Sequence, residues 1–485
     1  MKNRVLCFDL GASGGRAMLA EYEGCKINLT EVHRFKNRGI SVNGTLYWDI
    51  LSLYSEIRTG LVNGHKAGGY SSVGIDTWGV DYGIIDKNGF LIGNPVQYRD
   101  KRTNGMISEA FRLIKPETLY SLTGNQIMEI NTAFQLLAEK RERPYALENG
   151  AAMLNIPDLL AFMLTGEISS EMSAASTTQL FDPVIKDWSY EVIGKLGLPE
   201  KIFPKLVPPG SSKGMLSGDI CNELNIPPAE VIAVCGHDTQ CASFAAPAKE
   251  DSHIFLSSGT WSLFGTTIGS PILSRRAFTL ALTNETGFGG RIDLLKNITG
   301  LWLVQETKTF LSSRGTELSY AELEEEAELC RDFTAFIDTD SPEFGSSGDI
   351  PGRIRNFCER TGQAVPQSIG EIMRTIYLSL AMKYRLALEQ IIELTGRTYG
   401  RIYAVGGGTR DKLLCRLTAS VCGIPVTAGP VEATVMGSAA IQLLHSGAIG
   451  GHAEIPDIIR RSEELREYSP EENFDREYAT FKKIL

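Results

Sequence analysis

The chain has 485 residues, 43% hydrophobic and 22% charged, with a formal net charge of -10 at pH 7 and an isoelectric point near 5.4. That length exceeds one ordinary core, so two domains are expected, at 1–245 and 246–485, in a chain whose composition is that of a soluble globular protein. The acidic surplus argues against nucleic acid or an anionic membrane surface as partner, and the most apolar stretch, 151–164, is broken by Asn155, Pro157 and Asp158 and cannot span a bilayer.

After Met1-Lys2-Asn3-Arg4 the apolar residues stop at Asp9, too soon for a secretory signal, and a cytoplasmic location is expected. The nine cysteines form no CxxC pair, so they read as small buried hydrophobes of a reducing compartment rather than a zinc or disulfide framework. Residues 4–8 read as a buried strand, Asp9-Leu10-Gly11-Ala12-Ser13-Gly14-Gly15 as a turn, and 16–22 as the returning strand. Small residues in such a turn let a phosphate reach backbone N–H groups, and Asp9 at the strand end can hold the water shell of a Mg²⁺ ion. A plain glycine-rich hairpin is the competing reading.

Strands are expected at 30–35 and 45–48, then a helix capped by Asp49 with Leu53, Ile57 and Leu61 on one face. Residues 72–82 form a strand ending in Asp76-Thr77-Trp78-Gly79-Val80-Asp81. Carboxylate plus aromatic face suits a sugar, unless Trp78 is core and the aspartates are turn residues. Asp86-Lys87-Asn88-Gly89 makes a hairpin turn, helices are expected at 104–113, 131–140 and 157–165, and 173–179 carries no clear signal. Residues 204–214 read as a surface loop from their Pro and Gly content.

The apolar run 231–234 ends at Gly236-His237-Asp238-Thr239, the pattern of a buried strand opening into a polar turn at a crevice. Asp238 is the candidate general base, with helix capping by Asp238 and Thr239 as the alternative. A polar segment, 247–252, leads into Ser257-Ser258-Gly259-Thr260-Trp261, a second strand, small-residue turn and strand that echoes the first and points to internal duplication. Two such turns favour phosphate cradles over idle hairpins, and Thr260 offers a hydroxyl to a phosphate oxygen. Residues 294–305 read as an amphipathic stretch beginning a helix, with Asn297 and Gln305 as nucleotide contacts or as exposed polar residues. A solvated helix at 321–330, a mobile loop at 338–352 and a long helix at 369–394 follow. Then a strand, 402–405, runs into Gly406-Gly407-Gly408, where a backbone free of side chains can approach a ligand, ahead of a helix at 411–422. A small-residue helix starts near Pro430, and the charged residues from Glu463 are expected to be peripheral.

Taken in order, Asp9-Leu10-Gly11, Asp76-Thr77-Trp78-Gly79-Val80-Asp81, Tyr98-Arg99-Asp100, Gly236-His237-Asp238-Thr239, Ser257-Ser258-Gly259-Thr260-Trp261 and Gly406-Gly407-Gly408 resemble the FGGY family of carbohydrate kinases. The resemblance runs from the first strand to about Gln442. It implies an α/β fold of two actin-like (ribonuclease H-like) domains with an ATP and sugar cleft between them. Asp238 would then be the base, and Trp78, Gly79, His237, Asp238 and Thr239 would meet a ketose. Asn297 would lie near the sugar or phosphate. Ala12, Ser13, Gly14, Gly15, Arg16, Thr260, Gln305 and Gly407 would lie along the nucleotide, and Asp9 would serve Mg²⁺. The implied reaction is transfer of the ATP γ-phosphoryl group to the 1-hydroxyl of L-rhamnulose, with L-fuculose or D-xylulose as alternative acceptors and an ATP-driven switch as the non-catalytic alternative. The partners would be a sugar and ATP, with the protein a monomer or homodimer. The chain departs from the closer subgroup at Gly14-Gly15, where Ser-Gly is frequent, which leaves backbone contacts to phosphate there.

Overall fold

The computed structural model describes residues 3–250 and 252–485. Met1 and Lys2 of the opening segment, and Asp251 of the polar segment, lie outside the described residues.

An apolar run with Val5 to Phe8 buried makes Asn3–Leu10 a central strand. It pairs antiparallel with Gly14–Glu23 and parallel with Ser72–Thr77. The turn between the first two strands is therefore only Gly11-Ala12-Ser13, and Asp9 lies within the strand, opposite Arg16 on one side and Asp76 on the other. The sheet continues with Glu230–Ile232, parallel to Ser72–Thr77, then Ser212–Met215, and ends on the opposite side at Lys26–Lys36. Ile50–Lys66 covers it with Leu53, Ile57 and Leu61 buried, and Asp49 accepts the Ser52 N–H at 3.1 Å as its cap.

Helix Ala433–His445 also belongs to this unit, and its small residues let it pack closely. A Cβ on Gly437 would stand 1.9 Å from the Cys241 carbonyl oxygen. Gln442, buried in the same helix, accepts the Ser72 hydroxyl at 2.7 Å and donates to the Leu6 carbonyl at 3.3 Å. The first compact unit thus comprises Met1–Pro247, Ile268–Leu294 and Ala433–Ser462, and the second Ala248–Thr267, Leu295–Glu432 and Glu463–Leu485.

The second unit repeats the strand pattern. Ile254–Ser258 pairs antiparallel with Trp261–Ile268 and parallel with Ile402–Val405, which is parallel to Val426–Ala428. The expected echo between residues 4–22 and 254–265 is thus a shared topology. Ile369–Thr395 starts at a Ser368/Glu371 capping box, buries Ile372, Ile376, Leu380, Tyr384 and Leu388, and stops at Gly396 with φ 64°.

Four expectations are corrected. Residues 204–214 hold strand Leu206–Val207 and the start of Ser212–Met215, because Leu206 is buried and Lys213 is drawn inward by Asp158. The stretch 294–305 is not one helix: strand Ile292–Thr299 breaks at Gly300-Leu301 before helix Trp302–Ser313. The segment 338–352 contains the turn Pro342–Phe344, pinned by buried Phe344, and the start of helix Ile350–Arg360. The charged tail is not peripheral, since Arg466–Tyr468 joins the sheet and helix Asp475–Phe481 buries Tyr478 and Phe481. All nine cysteines are free, and only Cys25 is exposed.

Candidate active site

Gly236-His237-Asp238-Thr239 sits where a strand gives way to the helix Asp238–Phe244. His237 occupies the N-cap position, where Ser, Thr, Asp or Asn usually holds the first amides, and makes no side-chain cap bond. Its ring is used elsewhere. Nδ1 lies 2.9 Å from Glu285 Oε2, and Nε2 lies 3.5 Å from Asp238 Oδ1. Burial alone would lower the imidazole pKa, but Glu285 and then Asp238 outweigh it and raise it to about 9, so the ring is a cation at neutral pH.

Asp238 is the first residue of the helix rather than its cap. Its Oδ1 accepts the Thr239 amide at 2.6 Å and the Thr239 hydroxyl at 3.2 Å, which leaves Oδ2 for a substrate proton. The Asp238 side chain is 34% exposed against 12% for His237. Burial raises its pKa, the His237 cation opposes that rise, and Asp9 adds to it.

The turn is fixed from behind by Glu171, which is buried. Its Oε2 accepts the Gly236 amide at 2.8 Å, the Ala174 amide at 3.0 Å and the Ser173 hydroxyl at 2.6 Å. Ser173 Oγ in turn accepts the His237 amide at 3.3 Å. A Cβ at Gly236 would crowd Pro157, Glu171 and Ala174 at 3.0–3.2 Å, so a larger residue would push on these neighbours.

The loop after Ser72–Thr77 meets the same turn, because the Thr77 amide donates to the Gly236 carbonyl at 2.9 Å. Gly79 lies against Thr177, 3.0 Å from where its Cβ would be. Val80 follows at φ 67°, a strained conformation for a β-branched residue. Its amide donates to Thr177 Oγ1 at 3.0 Å and its carbonyl accepts Thr132 Oγ1 at 2.6 Å, and these bonds hold the strain. Trp78 is only 8% exposed, packs against Trp48 with the rings tilted by 41° and 4.3 Å between centroids, and donates its indole N–H to Asp81 Oδ2 at 2.9 Å. Asp81 also accepts from Trp48, Tyr98 and Gln135, so it anchors the loop. Burial raises its pKa to about 6.

On the first hairpin, Arg16 donates to Asp9 Oδ2 at 2.7 Å, bringing a candidate nucleotide residue and the candidate metal residue together. The backbone of Gly11 and Ser13 is tied to Asn37, whose side chain donates to the Gly11 carbonyl at 3.0 Å. Ala12 is half-buried and Ser13 exposed. A Cβ on Gly14 would approach the Phe35 carbonyl to 2.9 Å and one on Gly15 the Phe35 ring to 2.3 Å. The missing hydroxyl at residue 14 is therefore a packing requirement of the third strand.

Asp76 is fully buried, and neither of its oxygens has a hydrogen-bond partner among the described residues. Burial, and then Asp9 and Asp238, push its pKa well above the ordinary range, which favours the neutral acid. Among the described residues no three His, Cys, Asp or Glu side chains gather as a metal cage. The candidate metal residue, Asp9, offers a carboxylate, and that donor type fits Mg²⁺, which keeps most of its waters and takes one or two carboxylates beside phosphate oxygens.

In the second unit, the turn Gly259-Thr260 receives three amides: Gly300 and Trp302 donate to the Thr260 carbonyl at 3.1 and 3.2 Å, and Leu301 to that of Gly259 at 2.9 Å. Thr260 Oγ1 donates to Gln305 Oε1 at 3.2 Å, so these two candidates meet. Asn297 is half-buried on strand Ile292–Thr299, not on a helix. In the glycine triplet, Gly406 has φ 86°, and a Cβ on Gly408 would stand 2.1 Å from Ser258 Oγ, whereas Gly407 faces open space. Two of these glycines serve the fold, and the middle one leaves its backbone accessible.

Sequence reasoning missed Glu171, Ser173, Thr177 and Glu285. Their signal was faint: small polar residues within 170–179, and a glutamate inside the otherwise neutral strand Thr283–Thr286.

Comparison with known proteins gives a consistent result. The N-terminal and C-terminal domain models of the FGGY family of carbohydrate kinases match residues 4–245 and 254–446. A rhamnulokinase of Bacteroides thetaiotaomicron is 39% identical, with all of both chains covered. A rhamnulokinase of Enterococcus faecalis is 38% identical over 92% of this chain and 90% of its own. Among solved structures, a ligand-bound xylulose kinase from Lactobacillus acidophilus superposes with TM-score 0.81 at 15% identity, covering 99% of this chain and 96% of that one. Plasmodium falciparum glycerol kinase with ADP superposes with TM-score 0.79, also at 15% identity, covering 100% and 97%. The fold is thus two actin-like α/β domains, and the chain belongs to the FGGY family of carbohydrate kinases.

Proposed function

We propose that the protein transfers the γ-phosphoryl group of ATP to the 1-hydroxyl of L-rhamnulose, giving L-rhamnulose 1-phosphate and ADP. The observation that carries the reading is Asp238: a half-exposed carboxylate with Oδ1 occupied, Oδ2 free and the His237 cation beside it. The 39% and 38% identities to rhamnulokinases over nearly whole chains support the choice of sugar.

In this reading Asp238 Oδ2 takes the hydroxyl proton as the oxygen attacks phosphorus, and His237 keeps Asp238 ionised until then. Gly79, His237 and Thr239 contact the ketose, Trp78 borders it, and Asn297 lies near sugar or phosphate. Ala12 to Arg16 and Thr260, Gln305 and Gly407 contact the nucleotide. Mg²⁺, served by Asp9, supplies charge neutralisation on the phosphates when bound. The base and most sugar contacts fall to residues 1–245, with Asn297 the exception, the nucleotide is shared between Ala12 to Arg16 of 1–245 and Thr260, Gln305 and Gly407 of 246–485, and we place the protein in the cytoplasm as a monomer or homodimer.

ADP release should be measured with Mg²⁺-ATP and L-rhamnulose, L-fuculose, L-ribulose, D-xylulose or glycerol, against a control without sugar. A kcat/KM for L-rhamnulose at least about ten-fold above the others, worth about 1.4 kcal/mol, is expected. Preference for another sugar would keep the base and replace the acceptor, and the absence of any sugar response would overturn the kinase reading.

A further inference from the structure

A glutamate in a wholly buried strand is expensive unless a cation or several donors meet it. Glu285, 7% exposed within Thr283–Thr286, has such partners in His237 Nδ1 at 2.9 Å and the Gln240 amide at 3.1 Å, both on Oε2. Gln240 projects from the helix that Asp238 begins, one turn along from His237, so Glu285 grips two points of the turn that presents the candidate base. The other face of the imidazole points Nε2 at Asp238 Oδ1, 3.5 Å away. The imidazole thus joins two carboxylates, the buried Glu285 and the more exposed Asp238 at the reacting end.

Resting on the assignment of Asp238 as base, we infer that Glu285 is a positioning residue for phosphoryl transfer: it holds the proton on His237 Nδ1, fixes the ring, and so aims Nε2–H at Asp238. Two carboxylates flanking one imidazole keep it cationic, as its raised pKa of about 9 agrees. The remaining charged group facing His237 is Glu171, and Asp238 also faces Asp9, besides Asp76, whose burial favours its neutral form. Neither replaces Glu285, since the Glu171 oxygens are spent on Ser173, Ala174 and Gly236 and Asp9 is paired with Arg16.

The test is Glu285→Gln, which keeps size and removes charge. Turnover should fall about ten-fold or more, the scale of losing a residue that orients a reacting group, with the KM for ATP nearly unchanged. The acid limb of the kcat/KM profile should move up by about one pH unit, because a neutral imidazole no longer opposes protonation of Asp238. A merely structural role for Glu285 would lower thermal stability and leave the pH profile in place, and that result would overturn the proposal. A second measurement needs no variant. Imidazole ¹⁵N shifts of the whole protein, with the His237 signal identified by its loss in His237→Asn, should show Nδ1 protonated at pH 7, and an unprotonated Nδ1 would refute the inference. The same signal separates the two readings: if Asp238→Asn kept turnover, the base assignment would fail, while the Glu285–His237 contact would still be judged by the shifts.

Discussion

The hairpins Asn3–Glu23 and Ile254–Ile268 share a topology and differ in what they offer a ligand. The first carries charge at its mouth, Asp9 paired with Arg16, and its glycines are demanded by Phe35 on the neighbouring strand. The second is neutral there: Thr260 bonds Gln305, and the tight fit is imposed by Gly300, whose Cβ would stand 2.7 Å from the Gly259 carbonyl. A charged mouth suits a metal and the charge that develops in a transition state, and a hydroxyl and amide suit binding of the nucleotide in its ground state. Counting glycines would not have separated them. The neighbouring side chains do.

The contrast between the hairpins is most sharply broken at Asp238, the proposed base, which faces Asp9 of the first. Asp238→Asn should lower turnover by about 10²-fold or more while sparing ATP affinity, checked by steady-state ADP release and ATP titration. Asp9→Asn should lower kcat by about 10²-fold, the scale of losing one preorganised electrostatic contact, with a raised Mg²⁺ requirement. Gly300→Ala should act on the second hairpin alone, lowering stability by about 1–3 kcal/mol in thermal unfolding and weakening ATP. Thr260→Ala removes a single hydrogen bond of about 1 kcal/mol, so the KM for ATP should rise about five-fold with kcat almost unchanged. If Thr260→Ala instead cut kcat as deeply as Asp9→Asn, the contrast between the hairpins would be wrong.

A smaller effect follows from pH. His237 rises from 6.5 to about 9 on folding. The stability this contributes is complete below pH 6.5 and is lost as pH climbs through about 9. Denaturant midpoints between pH 6 and 10 should fall across that window, and Glu285→Gln should flatten the fall.

The elements that carry their own signal were legible in the chain: Asp49 before a heptad-like apolar face, Ser368 and Gly396 bounding the long helix, Asp86 and Gly89 in a turn. Asp238 was legible because an apolar strand ended at it. What escaped was non-local. The register that sets Asp9 between Arg16 and Asp76, and the partnership of Glu171 with Gly236 across 65 positions, exist only once strands pair. Residues 294–305 misled because alternating and helical spacing overlap in a short apolar run, and Gly300 divides them. Trp78, an aromatic at a polar turn, is nearly covered because Trp48 and Asp81 hold it.

The helix Ala433–His445 packs its Gly437 onto Cys241 and its Gln442 onto the first two parallel strands. For a ribosome this means that the amino-terminal unit cannot finish folding when its own first 247 residues have emerged. Its buried Ser72 hydroxyl and Leu6 carbonyl wait for Gln442, made 370 and 436 residues later. The nascent chain must keep that seam open through synthesis of most of the second unit, a window in which chaperone capture or premature association of exposed strands has time to act.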